Sequence, residues 1–174
     1  MILIISLCKE KLSEQEFVRP VENIVGQNFI TLHYSKITKK DIEVAEKIII
    51  CGTSLFDNEF SKYLDKFSWI KTANKPILGI CGGMQVIGLV FGANLGSEKE
   101  IGFYNENFIK DFLGLKGKQE VYHLHNHHVE LPDEFEKYTE SKIVQAFKHK
   151  SKPIYGTLFH PEVRNKEVIE TFLE

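Results

Sequence analysis

Pro76-Ile77-Leu78-Gly79-Ile80-Cys81-Gly82-Gly83-Met84-Gln85 is an apolar run that ends in a cysteine set among glycines and continues into an apolar stretch, Gly83 to Phe91. A strand that turns directly into a helix places its turn residue at the carboxyl edge of a sheet, and glycines relieve the crowding such a turn creates. The reading is therefore of a presented thiol, not a buried one. The free amides and positive end of the following helix would face the sulfur and favour thiolate.

Working outward, short β-rich runs alternate with amphipathic stretches, the pattern of an α/β domain with a parallel sheet. Strands are predicted at Ile2–Ser6, Phe29–His33, Lys47–Cys51 and Ile77–Ile80, with helices at Phe17–Val25, Asn58–Lys71 and Gly83–Phe91. Ile48-Ile49-Ile50 is apolar on both faces, as a central parallel strand should be. It runs into Cys51-Gly52-Thr53-Ser54, a small-residue loop at the same sheet edge as Cys81. Beyond Gly92 the texture is more antiparallel, with candidate strands Gln119–Asn126, Ile143–His149 and Ile154–Phe159 and a closing helix over Asn165–Leu173. With no repeat and no linker, residues 1–174 read as one domain.

The bulk properties exclude several classes. A length of 174 residues with 43% apolar and 26% charged residues suits a soluble globular protein that buries its core without disulfides. A net charge of −2 gives no footprint for nucleic acid or an anionic membrane. Met1-Ile2-Leu3-Ile4-Ile5-Ser6 is too short to span a bilayer and lacks the basic start of a signal peptide. Cys8, Cys51 and Cys81 are odd in number and widely spaced, which speaks against a disulfide framework and fits a reducing cytoplasm.

A thiol nucleophile needs a base, and the base an orienting group. Phe159-His160-Pro161-Glu162 offers both: an apolar strand delivers His160 at a sheet end, Pro161 stops the pairing, and Glu162 lies close enough to engage the imidazole. The oxyanion of a tetrahedral intermediate would be met by the amide of Gly82 and by the backbone of Gly52 or Thr53.

These residues resemble the class I glutamine amidotransferases, whose nucleophile motif G-x-C-x-G-x-Q is matched by Gly79 to Gln85 and whose H-P-E motif is matched by His160-Pro161-Glu162. The resemblance covers nearly the whole chain. It implies the family's flavodoxin-like fold, with a mainly parallel central sheet, helices on both faces and a small antiparallel strand region. It also implies that Cys81 attacks the side-chain amide of glutamine, that His160 protonates the departing ammonia, and that Gln85 contacts bound glutamine. No cofactor of its own is implied; ATP and magnesium belong to a separate synthetase that would take up the ammonia, for which the chain leaves no room after His-Pro-Glu. Within the family, Val121 to Phe135 and Lys152 to Val163 look most like the glutaminase subunits of GMP synthases.

Two segments depart from that pattern. Ser6-Leu7-Cys8-Lys9 stands where the family has Asp-x-Gly-x-Gln, and Cys51-Gly52-Thr53-Ser54 lacks the usual Gly-Gly-Pro. Losing that proline predicts a looser oxyanion loop and a free subunit of weak activity until a partner orders it.

The cluster His123, His125, His127 and His128 is the rival site. Alternation sets His123, His125 and His127 on one strand face, where imidazoles can bind zinc or another divalent metal. The alternative is a substrate-binding or subunit-facing loop, in which Asn126 and His127, with Thr53, would contact glutamine by analogy with the family. Two further readings stay open at this level: a γ-glutamyl peptidase or hydrolase using the same Cys81, His160 and Glu162, and a non-catalytic subunit using the histidine-rich loop for a partner or metal.

Overall fold

The computed structural model describes residues 1–174. The chain runs β1 (Ile2–Ser6), α1 (Glu14–Phe17), α2 (Arg19–Val25), β2 (Phe29–His33), α3 (Lys39–Val44) and β3 (Lys47–Ile50), then a 3-10 segment, Glu59–Lys71. It continues through β4 (Ile77–Ile80), α4 (Gly82–Val90), β5 (Leu95–Phe112), β6 (Leu115–Val129), β7 (Phe135–Lys137), β8 (Ala146–His149), β9 (Ile154–Thr157) and α5 (Glu167–Leu173).

Seven strands form one sheet in the order β2-β1-β3-β4-β9-β8-β7, parallel from β2 to β9 and antiparallel at the β8 and β7 edge. Its strands are apolar on both faces because both faces are covered. Leu3, Ile5, Ile48, Ile50 and Ile77 pack with Met84 and Ile87 of α4 and with Phe60 and Phe67 of the 3-10 segment. The alternate residues Ile4, Ile49, Leu78 and Ile80 pack with Phe17, Val21, Ile169 and Phe172 on the other side. α4 lies so close to the sheet that a Cβ on Gly83 would stand 2.1 Å from the Ile50 carbonyl oxygen. A Cβ on Gly79 would meet the Gly83 backbone at 2.6 Å. These two glycines serve helix-to-sheet packing.

β5 and β6 form a second, two-stranded sheet. This hairpin is held at its far end by a separate cluster that includes Phe108, Phe112, Leu115, Val121 and Phe159. It is the main departure from the sequence reading. The antiparallel region is not small: β5 has 18 residues and β6 has 15, and the expected strand Gln119–Asn126 is only the middle of β6. β5 escapes periodicity because runs such as Ser97-Glu98-Lys99-Glu100 and Asn105-Glu106-Asn107 carry few apolar residues, and most of the strand is open to solvent.

Smaller differences have local causes. The expected helix Asn58–Lys71 is a 3-10 segment interrupted at Tyr63 (φ −125°, ψ 38°). The expected helix Phe17–Val25 begins at Arg19, with Pro20 in its first turn and α1 preceding it. The unexpected α3 starts at a reciprocal cap between Thr38 and Asp41. No helix is long and apolar enough to cross a membrane.

Candidate active site

Cys81 is the hinge between β4 and α4. Its amide continues the parallel ladder by donating to the Thr157 carbonyl (2.7 Å), while its carbonyl accepts the first helical bond from the Gln85 amide (3.0 Å). Serving both ladders forces it to φ +49°, ψ −103°, a conformation a side-chain-bearing residue rarely adopts, and such backbone strain concentrates at functional sites. The amide of Gly82, first in α4, has no carbonyl to bond within the helix. Contrary to the expectation of a presented thiol, Cys81 is only 5% exposed, because β6 crosses over it. Its Sγ lies 3.6 Å from the Leu124 carbonyl oxygen.

His160 follows β9 and is buried with Glu162. Its backbone amide donates to the Tyr122 carbonyl of β6 (2.8 Å). The ring donates from Nδ1 to Glu162 Oε1 at 2.7 Å and faces the Leu124 carbonyl with Nε2 at 3.4 Å. Two acceptors, one at each ring nitrogen, suit the doubly protonated imidazolium. Burial opposes that charge, yet the Glu162 carboxylate and the Cys81 sulfur outweigh it and hold His160 well above the ordinary histidine range. Gly52 closes the arrangement: a Cβ there would lie 3.0 Å from His160 Cε1 and 3.4 Å from Cys81 Cβ, so any side chain would press on the imidazole.

The cleft in front of Cys81 is a narrow, solvent-open gap between the loop Thr53–Asn58, the start of α4 and the inner face of β6. Gln85, Thr53 and Asn126 all line it. Gln85 Nε2 donates to the His127 carbonyl (3.0 Å), and Asn126 Nδ2 donates to the Leu55 carbonyl (2.8 Å), so both tie the cleft's walls together. The His127 ring is not part of the lining; His125 is.

Two residues went unnoticed in the sequence. Asp57 accepts the Thr53 hydroxyl (2.7 Å) and the Lys9 amide (2.7 Å) on Oδ2, and the Glu59 amide on Oδ1 at 3.4 Å. The loop that lacks its proline is thus anchored by a carboxylate. Glu100 of β5 joins His123 and His125 in a compact group, whereas His127, the third member of the expected cluster, is not part of it. Only long-range pairing brings Glu100 there, so no local signal announces it. Burial pulls both imidazoles, His123 and His125, down to about 4. Cys8 and Cys51 are buried thiols whose pKa values burial raises, Cys51 strongly so.

A thiol on a strained turn beside helix amides, next to an imidazolium locked to a carboxylate, is equipped for acyl transfer through a covalent intermediate. Comparison with known proteins agrees. The A subunit of the glutamine-hydrolysing GMP synthase of Thermoplasma acidophilum is 35% identical over 150 residues, 76% of this chain and 74% of that protein. Its counterpart from Thermococcus kodakarensis is 45% identical over 104 residues, 54% of each chain. Among solved structures, a protein from T. acidophilum described as a GMP synthase A subunit superposes with a TM-score of 0.84 at 27% identity, covering 99% of this chain and 91% of that one. A glutamine amidotransferase from Thermotoga maritima shares the fold, with a TM-score of 0.72 at 20% identity over 99% and 82%. The family profile described as glutamine amidotransferase class-I matches residues 20–174, and the chain belongs to that family.

Proposed function

We propose that this chain is the glutaminase subunit of a two-chain GMP synthase, hydrolysing glutamine to glutamate and passing the ammonia to a separate synthetase. The likeness to GMP synthase A subunits over most of the chain supports the partner and the acceptor. The observation that carries the chemistry is Cys81 at positive φ beside the His160–Glu162 pair.

In this reading the Cys81 thiolate adds to the side-chain amide carbon of glutamine, and the oxyanion is met by the amide of Gly82 and the backbone of Gly52. The His160 imidazolium gives its proton to the amide nitrogen as the carbon–nitrogen bond breaks, releasing ammonia and leaving a γ-glutamyl thioester. Neutral His160 then takes a proton from water as its oxygen attacks the thioester; glutamate leaves and the thiolate–imidazolium pair is restored. Glu162 keeps the ring oriented and favours its charged form throughout. Gln85, Thr53 and Asn126 shape the glutamine pocket. Residues 1–174 act as one unit, and this thiol chemistry itself calls on no cofactor.

The test is to add the ATP-dependent synthetase that co-purifies with the chain and to follow ammonia release and XMP amination. Stoichiometric labelling of Cys81 by a glutamine-analogue chloroketone, with ammonia release stimulated by the synthetase, is the expected result. Cleavage of γ-glutamyl amines in preference to glutamine would replace the proposal with a γ-glutamyl hydrolase. Failure to label, alone and in complex, would remove the catalytic account.

A further inference from the structure

We propose that Glu100, His123 and His125 form a binding site for one divalent transition cation, Zn²⁺ in the first instance, on the inner face of the hairpin beside the cleft. The donors are two imidazole nitrogens and a carboxylate oxygen, a set that suits zinc with a fourth position left open. Glu100 Oε2 lies 3.0 Å from His123 Nδ1 and 2.9 Å from His125 Nε2, and the three donor atoms fall within 4.8 Å of one another. Bonds of about 2.0–2.2 Å in a tetrahedral site require neighbouring donors about 3.3–3.6 Å apart, so the Glu100 oxygen would draw back slightly from both nitrogens to admit the ion.

The surroundings are those of a built site. His123 is 0% and His125 2% exposed, and neither nitrogen of His123 has a hydrogen-bond partner. The 3.0 Å approach of His123 Nδ1 to Glu100 is therefore close but out of line for a hydrogen bond, and both ring nitrogens stay buried without a partner. Around the donors, Gln145 Nε2 donates to Glu100 Oε2 at 2.8 Å, Glu106 Oε1 stands 3.7 Å from the far nitrogen of His123, and Tyr104 stacks on the His123 ring at 4.4 Å. Outer groups of this kind orient metal ligands.

The backbone supplies an independent argument. β5 and β6 pair regularly at Ser97 and His127, then shift by one residue so that Glu100, not Lys99, faces His125. An unbulged ladder would put an ammonium opposite the imidazole. Bulges re-aim side chains, and this one assembles the donor set.

The test uses the full chain stripped by a chelator and titrated with Zn²⁺ by calorimetry and with Co²⁺ by visible absorption. One equivalent should bind, with a tetrahedral ligand-field spectrum and no thiolate-to-cobalt charge-transfer band. Glu100→Gln, checked for folding by circular dichroism, should weaken binding by more than about tenfold, and Gln145→Leu by about tenfold. Cys81→Ser should bind as the parent does. Absence of binding, a Glu100→Gln variant that titrates like the parent, or loss of binding in Cys81→Ser would overturn the proposal; the last would put the ion on the nucleophile. If Glu100→Gln does not fold, the Gln145→Leu affinity and the charge-transfer band decide.

Discussion

The two walls of the cleft are made by different physics. One is the carboxyl edge of the parallel sheet, where Cys81 is fixed by apolar packing on both faces and by two backbone ladders. The other is the Gly52–Asn58 loop and the stretch of β6 that faces it, joined by polar contacts: Asp57 to Thr53 and Lys9, Asn126 to Leu55, Gln85 to His127. Packing holds the Cys81 sulfur, and hydrogen bonds shape the space in front of it. The first wall should fail by unfolding and the second by misplacement.

The largest effect is expected where the two walls meet. Cys81→Ser should lower ammonia release on the order of 10⁴-fold while leaving the circular dichroism spectrum intact. Residual activity near the parent's would mean that the sheet edge is not where the chemistry occurs. Next, Gly83→Ala drives a methyl group against the Ile50 carbonyl, backbone against backbone, and should cost about 3 kcal/mol or more in denaturant unfolding. An unchanged midpoint would show α4 free to shift, and the contrast between the walls would collapse.

The hairpin should show its polar character in acid. His123 and His125 titrate near 4 in the fold against 6.5 when exposed, so between those values the unfolded chain binds more protons. Their contribution is complete above pH 6.5 and lost as the pH falls through about 4. In chelator-treated protein stability should fall as the pH drops from 6.5 towards 4, and substituting both histidines with glutamine should flatten the profile. His160 works in the opposite sense, since its proton is held more tightly in the fold and its contribution is lost as pH rises. The smallest change is Asp57→Ala, which frees the loop without touching the sheet. kcat/KM for glutamine should fall about tenfold, with stability barely affected. An unaltered kcat/KM would mean that the loop is positioned by something other than this carboxylate.

The same division explains what could be read from the chain alone. Ile48-Ile49-Ile50, the Pro76–Gln85 turn and the His160–Glu162 spacing carry their meaning locally: apolar runs, a glycine-flanked cysteine and two neighbours in sequence. The parallel sheet and the juxtaposition of Cys81 with His160 follow from them. β5 could not be read, because a strand that pairs on one edge and faces solvent shows neither an apolar run nor clean alternation. Glu100 reaches His125 only through a one-residue shift in a ladder that spans the length of β5, and Asp57 anchors a loop through contacts with Lys9, 48 residues away. The absence of proline at Gly52-Thr53-Ser54 suggested slackness, because a missing residue is visible in a sequence and its replacement by a distant carboxylate is not.

Strand β6 supplies backbone oxygens to three separate parts of the site: Tyr122 to the amide of His160, Leu124 to both the sulfur and the imidazole, and His127 to Gln85. It does so from a strand pinned at both ends, by Leu115 in the Phe108–Phe159 cluster and by Val129 in the main core, with only β5 between it and solvent. One strand therefore sets the places of His160, Cys81 and Gln85 at once, and a displacement of β6 would move all three together.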